Sequence, residues 1–244
     1  MRKLLIISLA LMLTMAFGVT SFAQYGNNQG YGVYKGLTQV GIKAGADASR
    51  GFGDDSRVST PGEPPTAAIG PSAQFKGGFI GGAFARYNFT EAFAVQPEVL
   101  FAMYGSRRDV TFTTSTGETA TNYRTLFNYI EVPVMLNYSF STTSNIQPEI
   151  FAGPVVDFLV SARQKADVAG STVSENVKDQ LHSTLWGASV GAGLSYPMSV
   201  GKLTLDARYT FSISKIYKAT PLPGVSQPDI RNSAIALMLG YSFK

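Results

Sequence analysis

The end of the chain, Ser233 to Lys244, alternates without a break. Ile235, Leu237, Leu239, Tyr241 and Phe243 fall on one face; Ala234, Ala236, Met238, Gly240 and Ser242 fall on the other. A period of two is the signature of a strand. One face is wholly apolar and ends in two aromatics, while the other is small. A soluble sheet would bury that apolar face against a second layer. A membrane barrel would turn it to lipid, with Tyr241 and Phe243 at the water interface. A terminal strand in hydrocarbon must also close its sheet, because an open edge leaves backbone groups without partners.

The rest of the chain repeats the pattern. Alternating segments run at about 37–48, 75–89, 92–106, 125–140, 146–162, 183–196, 202–214 and 233–244. In each, one face carries Val, Ile, Leu, Phe or Tyr and the other carries Gly, Ser, Thr or charge. The connections alternate long, short, long, short, long, short, long. Short turns at one end, longer loops at the other and an even strand count describe an outer-membrane barrel. Tyr87, Phe89, Phe93, Tyr138, Phe140, Tyr196, Tyr241 and Phe243 crowd the short-turn end, as an interfacial girdle would. The fold expected is all-β: an eight-stranded antiparallel up-and-down transmembrane β-barrel. Pro97, Pro133, Pro148 and Pro154 fall inside strands and cannot donate to a ladder, so bulges or bent register are expected there. The stretches 107–124 and 163–182 read as polar loops.

The beginning of the chain reads differently. Met1-Arg2-Lys3, an apolar run from Leu4 to Val19, and Ser21-Phe22-Ala23 describe a signal peptide over 1–23, cleaved after Ala23. Residues 24–36, rich in Gly, Asn, Gln and Tyr, read as a flexible periplasmic leader. The barrel domain then covers 37–244. With two of the 20 basic residues in the signal, the remainder carries 18 bases against 16 acids, and no basic block argues for nucleic acid. There is no cysteine, which excludes disulfides and thiolate metal sites.

Several short motifs, in order, resemble a known family. They are Gly41-Ile-Lys-Ala-Gly45, Gln96-Pro-Glu-Val-Leu100, Tyr129-Ile-Glu-Val-Pro133, Gln147-Pro-Glu149 with Ala152-Gly-Pro154, Gly191-Ala-Gly193 and Leu239-Gly-Tyr-Ser-Phe243. The series, over about 37–244, is similar to the PorT-type outer membrane protein β-barrel domain proteins. The resemblance implies an eight-stranded outer-membrane barrel without fixing one activity, since a fold does not determine function.

An eight-stranded barrel is just wide enough for side chains to fill it. The inward positions carry Lys43, Arg86 and Arg208 against Asp47, Glu98, Glu131, Glu149, Asp157 and Asp206. Shielded charges need partners. A lumen network of Lys43, Arg86, Glu98, Glu131, Glu149, Asp206 and Arg208, acting structurally as a plug, is therefore expected; an ion or proton path is the competing reading. His182-Ser183 offers a base and a nucleophile but no orienting third group, and adjacent strand residues face opposite ways. Asp54-Asp55 reads as a solvated loop pair, and Trp186 as an interface anchor.

The function expected is non-enzymatic, without cofactor or metal: an integral barrel with a structural role, or interaction through its loops. A narrow porin-like channel, an accessory factor in secretion and a lipid-modifying enzyme are the alternatives. The expected partners are outer-membrane lipid, the barrel-assembly machinery during insertion, and an extracellular or secretion partner. The location expected is a Gram-negative outer membrane, with both termini periplasmic.

Overall fold

The computed structural model describes residues 38–54, 74–114, 117–168, 171–218 and 229–243. The expected signal peptide, the leader and Asp55 lie outside them. The strands are β1 (Thr38–Asp54), β2 (Gln74–Asn88), β3 (Phe93–Thr114), β4 (Gly117–Ser139), β5 (Gln147–Val168), β6 (Ser171–Asn176), β7 (Thr184–Met198), β8 (Gly201–Ser212) and β9 (Asp229–Phe243). All pairings between them are antiparallel, in the order β4-β3-β2-β1-β9-β8-β7-β5-β6, and an additional β4–β5 pairing closes the ring. The barrel therefore has eight strands. β6 stands outside the ring and pairs with the far end of β5.

The alternation decides which side chains face out. On β9, Ile235, Leu237, Leu239 and Phe243 are exposed, while Ala234, Ala236, Met238 and Ser242 are buried. The same holds around the ring, from Val40 and Ile42 on β1 to Leu205 and Tyr209 on β8. At the short-turn end the aromatic residues touch one another. Tyr87 meets Phe89 at 5.2 Å between ring centroids, Phe93 meets Tyr138 at 5.0 Å, Tyr138 meets Phe140 at 4.9 Å and Tyr241 meets Phe243 at 5.1 Å. Trp186 is 60% exposed at the opposite end.

Three expectations are corrected. First, 107–124 is largely strand, not loop. β3 and β4 stay paired from Phe93↔Tyr138 to Thr114↔Gly117. This stretch is rich in threonine, which suits a strand, and has no proline. It lacks an apolar face because it lies beyond the lipid-facing residues. Second, β5 runs on to Val168 and turns back as β6, so much of 163–182 is also sheet. Third, the register does not shift at the prolines. It shifts between Phe75 and Ile80 on β2 and between Asn128 and Tyr129 on β4. At Pro97, Pro133 and Pro154 the ladder skips rows instead, while Pro148 keeps its row opposite Leu194. Ala85–Arg86 opposite Gln96–Pro97, Glu98–Val99 opposite Val132–Pro133, and Val134–Met135 opposite Gly153–Pro154 are unpaired, with one register on both sides of each gap. The shift beside Asn128 also moves Ser161. It pairs with Asn128 on the outer face, and its hydroxyl accepts from the Asn128 amide at 3.0 Å.

Candidate functional site

The lumen is filled in two tiers. The tier nearer the short turns is built from side chains of the wall. Arg86 on β2 meets Glu149 on β5 at 2.6 Å, and Lys202 at the start of β8 meets the other Glu149 oxygen at 2.5 Å. Ser195 also donates to Glu149, and Arg86 donates to Ser139 and Asn88. One step deeper, Glu98 on β3 takes Lys43 at 3.0 Å, Arg208 at 2.9 Å and the Gln96 amide at 2.7 Å. Lys43 also reaches Asp206 at 2.8 Å. Arg208 lies 3.8 Å from Glu131, to which the Tyr104 hydroxyl donates. Lys43, Glu98, Arg208 and Glu131 have side chains no more than 1% exposed. A carboxylate with three donors in such a place is far better compensated than one with a single partner.

Two aromatic rings complete this tier, and glycine makes room for each. The Phe84 ring lies where a Cβ on Gly41 would stand, 2.5 Å from the nearest ring carbon; the Phe151 ring lies likewise over Gly191, at 2.4 Å. Each ring then faces a cation of the network. Lys43 Nζ is 5.0 Å from the Phe84 centroid and the Arg208 guanidinium is 5.5 Å from the Phe151 centroid. These distances allow cation–π attraction. The glycines of two of the sequence motifs thus admit the rings on which the two central cations rest.

All seven side chains expected in the lumen network lie in it, in two groups: Arg86 with Glu149, and Lys43, Asp206, Glu98, Arg208 and Glu131 together. Lys202 was missed, although its parity with Thr204, Asp206 and Arg208 points it inward. Asp47 and Asp157 are buried in the lumen as expected, but outside both ion-pair groups. A cavity bordered by Lys43, Arg86, Glu149, Lys202 and Asp206 measures about 10 Å³, room for one water.

The second tier is apolar, and two loops build it together with the wall. Val177 and Leu181 flank a single 3₁₀ turn, Lys178–Gln180, and Ile216 follows β8. All three are buried, against Leu100, Tyr104, Phe127, Tyr129, Leu159, Leu185 and Met238 from the wall. Backbone bonds fasten the two loop segments together: His182 N–H to Ile216 O at 2.9 Å, Lys218 N–H to Gln180 O at 3.0 Å, and a bridge between Leu181 and Tyr217. This cork was invisible to strand periodicity. Its signal was a set of apolar residues, Val177, Leu181 and Ile216 among them, inside two connections that read as loops.

His182 and Ser183 are both exposed. The described bond of His182 is the backbone one to Ile216, which ties down a loop. Among the described residues, no group of three His, Cys, Asp or Glu side chains is placed to hold a metal ion.

A closed antiparallel ring with an apolar outer face, an aromatic belt and an interior filled by its own side chains is a transmembrane β-barrel. The chain belongs to the family described as outer membrane protein beta-barrel domain, which matches residues 22–218. That is the general family; the narrower PorT-type likeness is not part of the match. No curated protein matches the chain. Among solved structures, Neisserial surface protein A is 16% identical, with 82% of this chain and 95% of that chain covered and a TM-score of 0.41. OprG from Pseudomonas aeruginosa is 14% identical, with 87% and 98% covered and a TM-score of 0.46. The attachment invasion locus protein Ail of Yersinia pestis is 16% identical, with 86% and 100% covered and a TM-score of 0.38.

Proposed function

We propose that the protein is a closed, non-enzymatic barrel of the Gram-negative outer membrane. Its work is done by the sheet it carries outside the membrane, through which it binds a partner. The observation that carries this reading is the contrast between a lumen filled twice over and a wall that continues as β3–β4–β5–β6. A spanning strand needs roughly 9–11 residues; β3, β4 and β5 have 22, 23 and 22. The excess is paired sheet, which displays residues more rigidly than an unstructured loop would. The ion-pair tier serves as a structural plug, with no cofactor involved. Both termini are periplasmic in this reading, because the short turns end in an aromatic belt and the long strands run to the other side.

Single-channel recording in planar bilayers, together with labelling of whole cells, tests it. The purified protein should be silent. A cysteine at Ser174 should react with an impermeant reagent on intact cells, and a cysteine at Thr143 should not. Steady conductance would replace this reading with that of a narrow channel, and inverted labelling would turn the barrel over. Loss of secretion on deletion of the gene, with surface binding unchanged, would favour the accessory role in secretion that the PorT-type likeness allows.

A further inference from the structure

Among the described residues, Asp157 is the buried lumen acid without a cation. Glu98, Glu149, Asp206 and Glu131 are held by Lys43, Arg86, Lys202 and Arg208, and Lys76 attracts Asp47. Asp157 is 2% exposed. On the inner face its neighbours along β5 are Val155 and Leu159. Opposite it stand Leu185 on β7 and Glu131 on β4. Three of these four are buried and apolar; the fourth is an acid. Two carboxylates side by side in such a place repel each other, and Asp157 has no cation to offset the repulsion.

The Tyr104 hydroxyl donates to Glu131 Oε2. Glu131 Oε1, which Arg208 approaches to 3.8 Å, has no hydrogen-bond partner among the described residues, and Asp157 Oδ1 has none either. Side chains directly opposite in an antiparallel pair have Cβ atoms about 4.5–5.5 Å apart, so one O–H···O bond can join these two oxygens. We infer that Glu131 and Asp157 hold one proton between them, and that this bond is an alkali-sensitive latch where the two tiers of the lumen meet. The proton belongs to the pair rather than to either residue. No other group facing the pair replaces it. Asp47 from β1 and Glu98 from β3 add like charge beside Glu131. Arg208 from β8 is shared with Glu98. The Tyr129 hydroxyl is buried without a partner, and β7 offers only Leu185. Tyr104, Tyr129, Leu159 and Leu185 also belong to the apolar tier with Leu181 and Ile216. Two adjoining anions here would therefore disturb the packing of the cork.

The test is urea unfolding of the full chain in micelles as a function of pH, with infrared spectra of the same samples. Carboxyl groups of an unfolded chain are ionised at neutral pH, so folding takes up the latch proton. A proton held only by the folded state makes stability fall as pH rises. The folding constant should therefore drop into the alkaline range, by about tenfold for each pH unit over which only the folded barrel keeps the proton. Asp157→Asn, whose amide can donate to Glu131 Oε1 in the proton's place, should match the parent at neutral pH and lose this decline. Asp157→Ala, which has no donor, should be less stable at neutral pH. The infrared C=O band of a protonated carboxyl should be present in the parent at neutral pH, fade as pH rises and weaken in Asp157→Asn. Should that variant not fold, Glu131→Gln should weaken the band in the same way, since the pair then has no proton to share. Absence of the band from the parent at neutral pH, an undiminished band in the variants, or an unchanged alkaline decline in Asp157→Asn would overturn the proposal. So would stabilisation by sodium over choline at equal ionic strength, which would put a metal cation between the carboxylates instead.

Discussion

The two tiers of the lumen solve one problem with opposite materials. Near the short turns the lumen is filled with charged side chains, and every member of the tier comes from a wall strand. Beyond it, the lumen is filled with carbon, and key members come from loops folded back inside. The charged tier depends on pairing, because each ion has given up water and is tolerable only beside its partners. The apolar tier depends on volume, because its stability scales with the surface it hides and the gaps it leaves. The first should fail sharply when one partner is lost. The second should fail in proportion to the carbon removed.

The largest effect is therefore expected at Glu98, which Lys43, Arg208 and Gln96 share. Glu98→Ala leaves two buried cations without their common acceptor. Breaking a buried pair in this way costs about 3–5 kcal/mol, to be read from urea unfolding in micelles. Next comes Leu181→Ala, which removes a fully buried side chain from the cork. The expected loss is about 2–3 kcal/mol, the lower part of the range for buried leucines, because a loop segment can settle into the space. The two variants also separate the tiers by conductance. Either alone should stay silent in planar bilayers, since the other tier still closes the barrel. The double variant should show openings, and openings in Leu181→Ala alone would mean that the charged tier does not seal.

The same contrast explains what could be read from the sequence. The barrel, its eight strands and the seven network residues all follow from period-two alternation, because wall residues inherit their facing from the strand. Lys202 obeys the same parity but sits beside a turn, where the segment boundary hid it. The cork follows no period. Val177, Leu181 and Ile216 lie in short irregular connections, and only the closed ring shows that there is a lumen for them to enter. The sheet beyond the membrane was missed for a related reason. In the sequence, 107–124 carries no apolar face of period two, so its strands lack the pattern used to find strands in the wall. The prolines mislead in the other direction, since Pro97, Pro133 and Pro154 open rows without moving the register.

A third variant probes how tightly the charged tier is fitted. Gly191→Ala places a methyl group against the Phe151 ring, on which the Arg208 guanidinium rests. Overpacking of this kind costs about 1–3 kcal/mol. Replacing Phe151 with Leu in the same chain should recover part of the loss, since the clash is with the ring. No recovery would place the strain in the backbone, where Ala207 O also lies close.

The smallest effect asks whether polarity itself, or only partnering, matters in the polar half of the lumen. Ser189 and Thr210 face each other from β7 and β8, with their hydroxyls 2.6 Å apart and buried. Ser189→Ala leaves the Thr210 hydroxyl without that partner, and should cost about 1 kcal/mol. Thr204, on the same strand as Thr210 and facing the same way, has a buried Oγ1 with no hydrogen-bond partner among the described residues. The protein gives its hydroxyl no bond in return. Thr204→Val keeps the branched shape and removes that oxygen, so stability should change by no more than about 0.5 kcal/mol, and toward greater stability. The pair of unfolding midpoints decides the matter. If Thr204→Val costs as much as Ser189→Ala, polarity is required at both positions and the pairing argument does not explain this tier. If the valine is neutral or better while the alanine is worse, the charged half of the lumen is held by partners, and a polar group without one adds nothing.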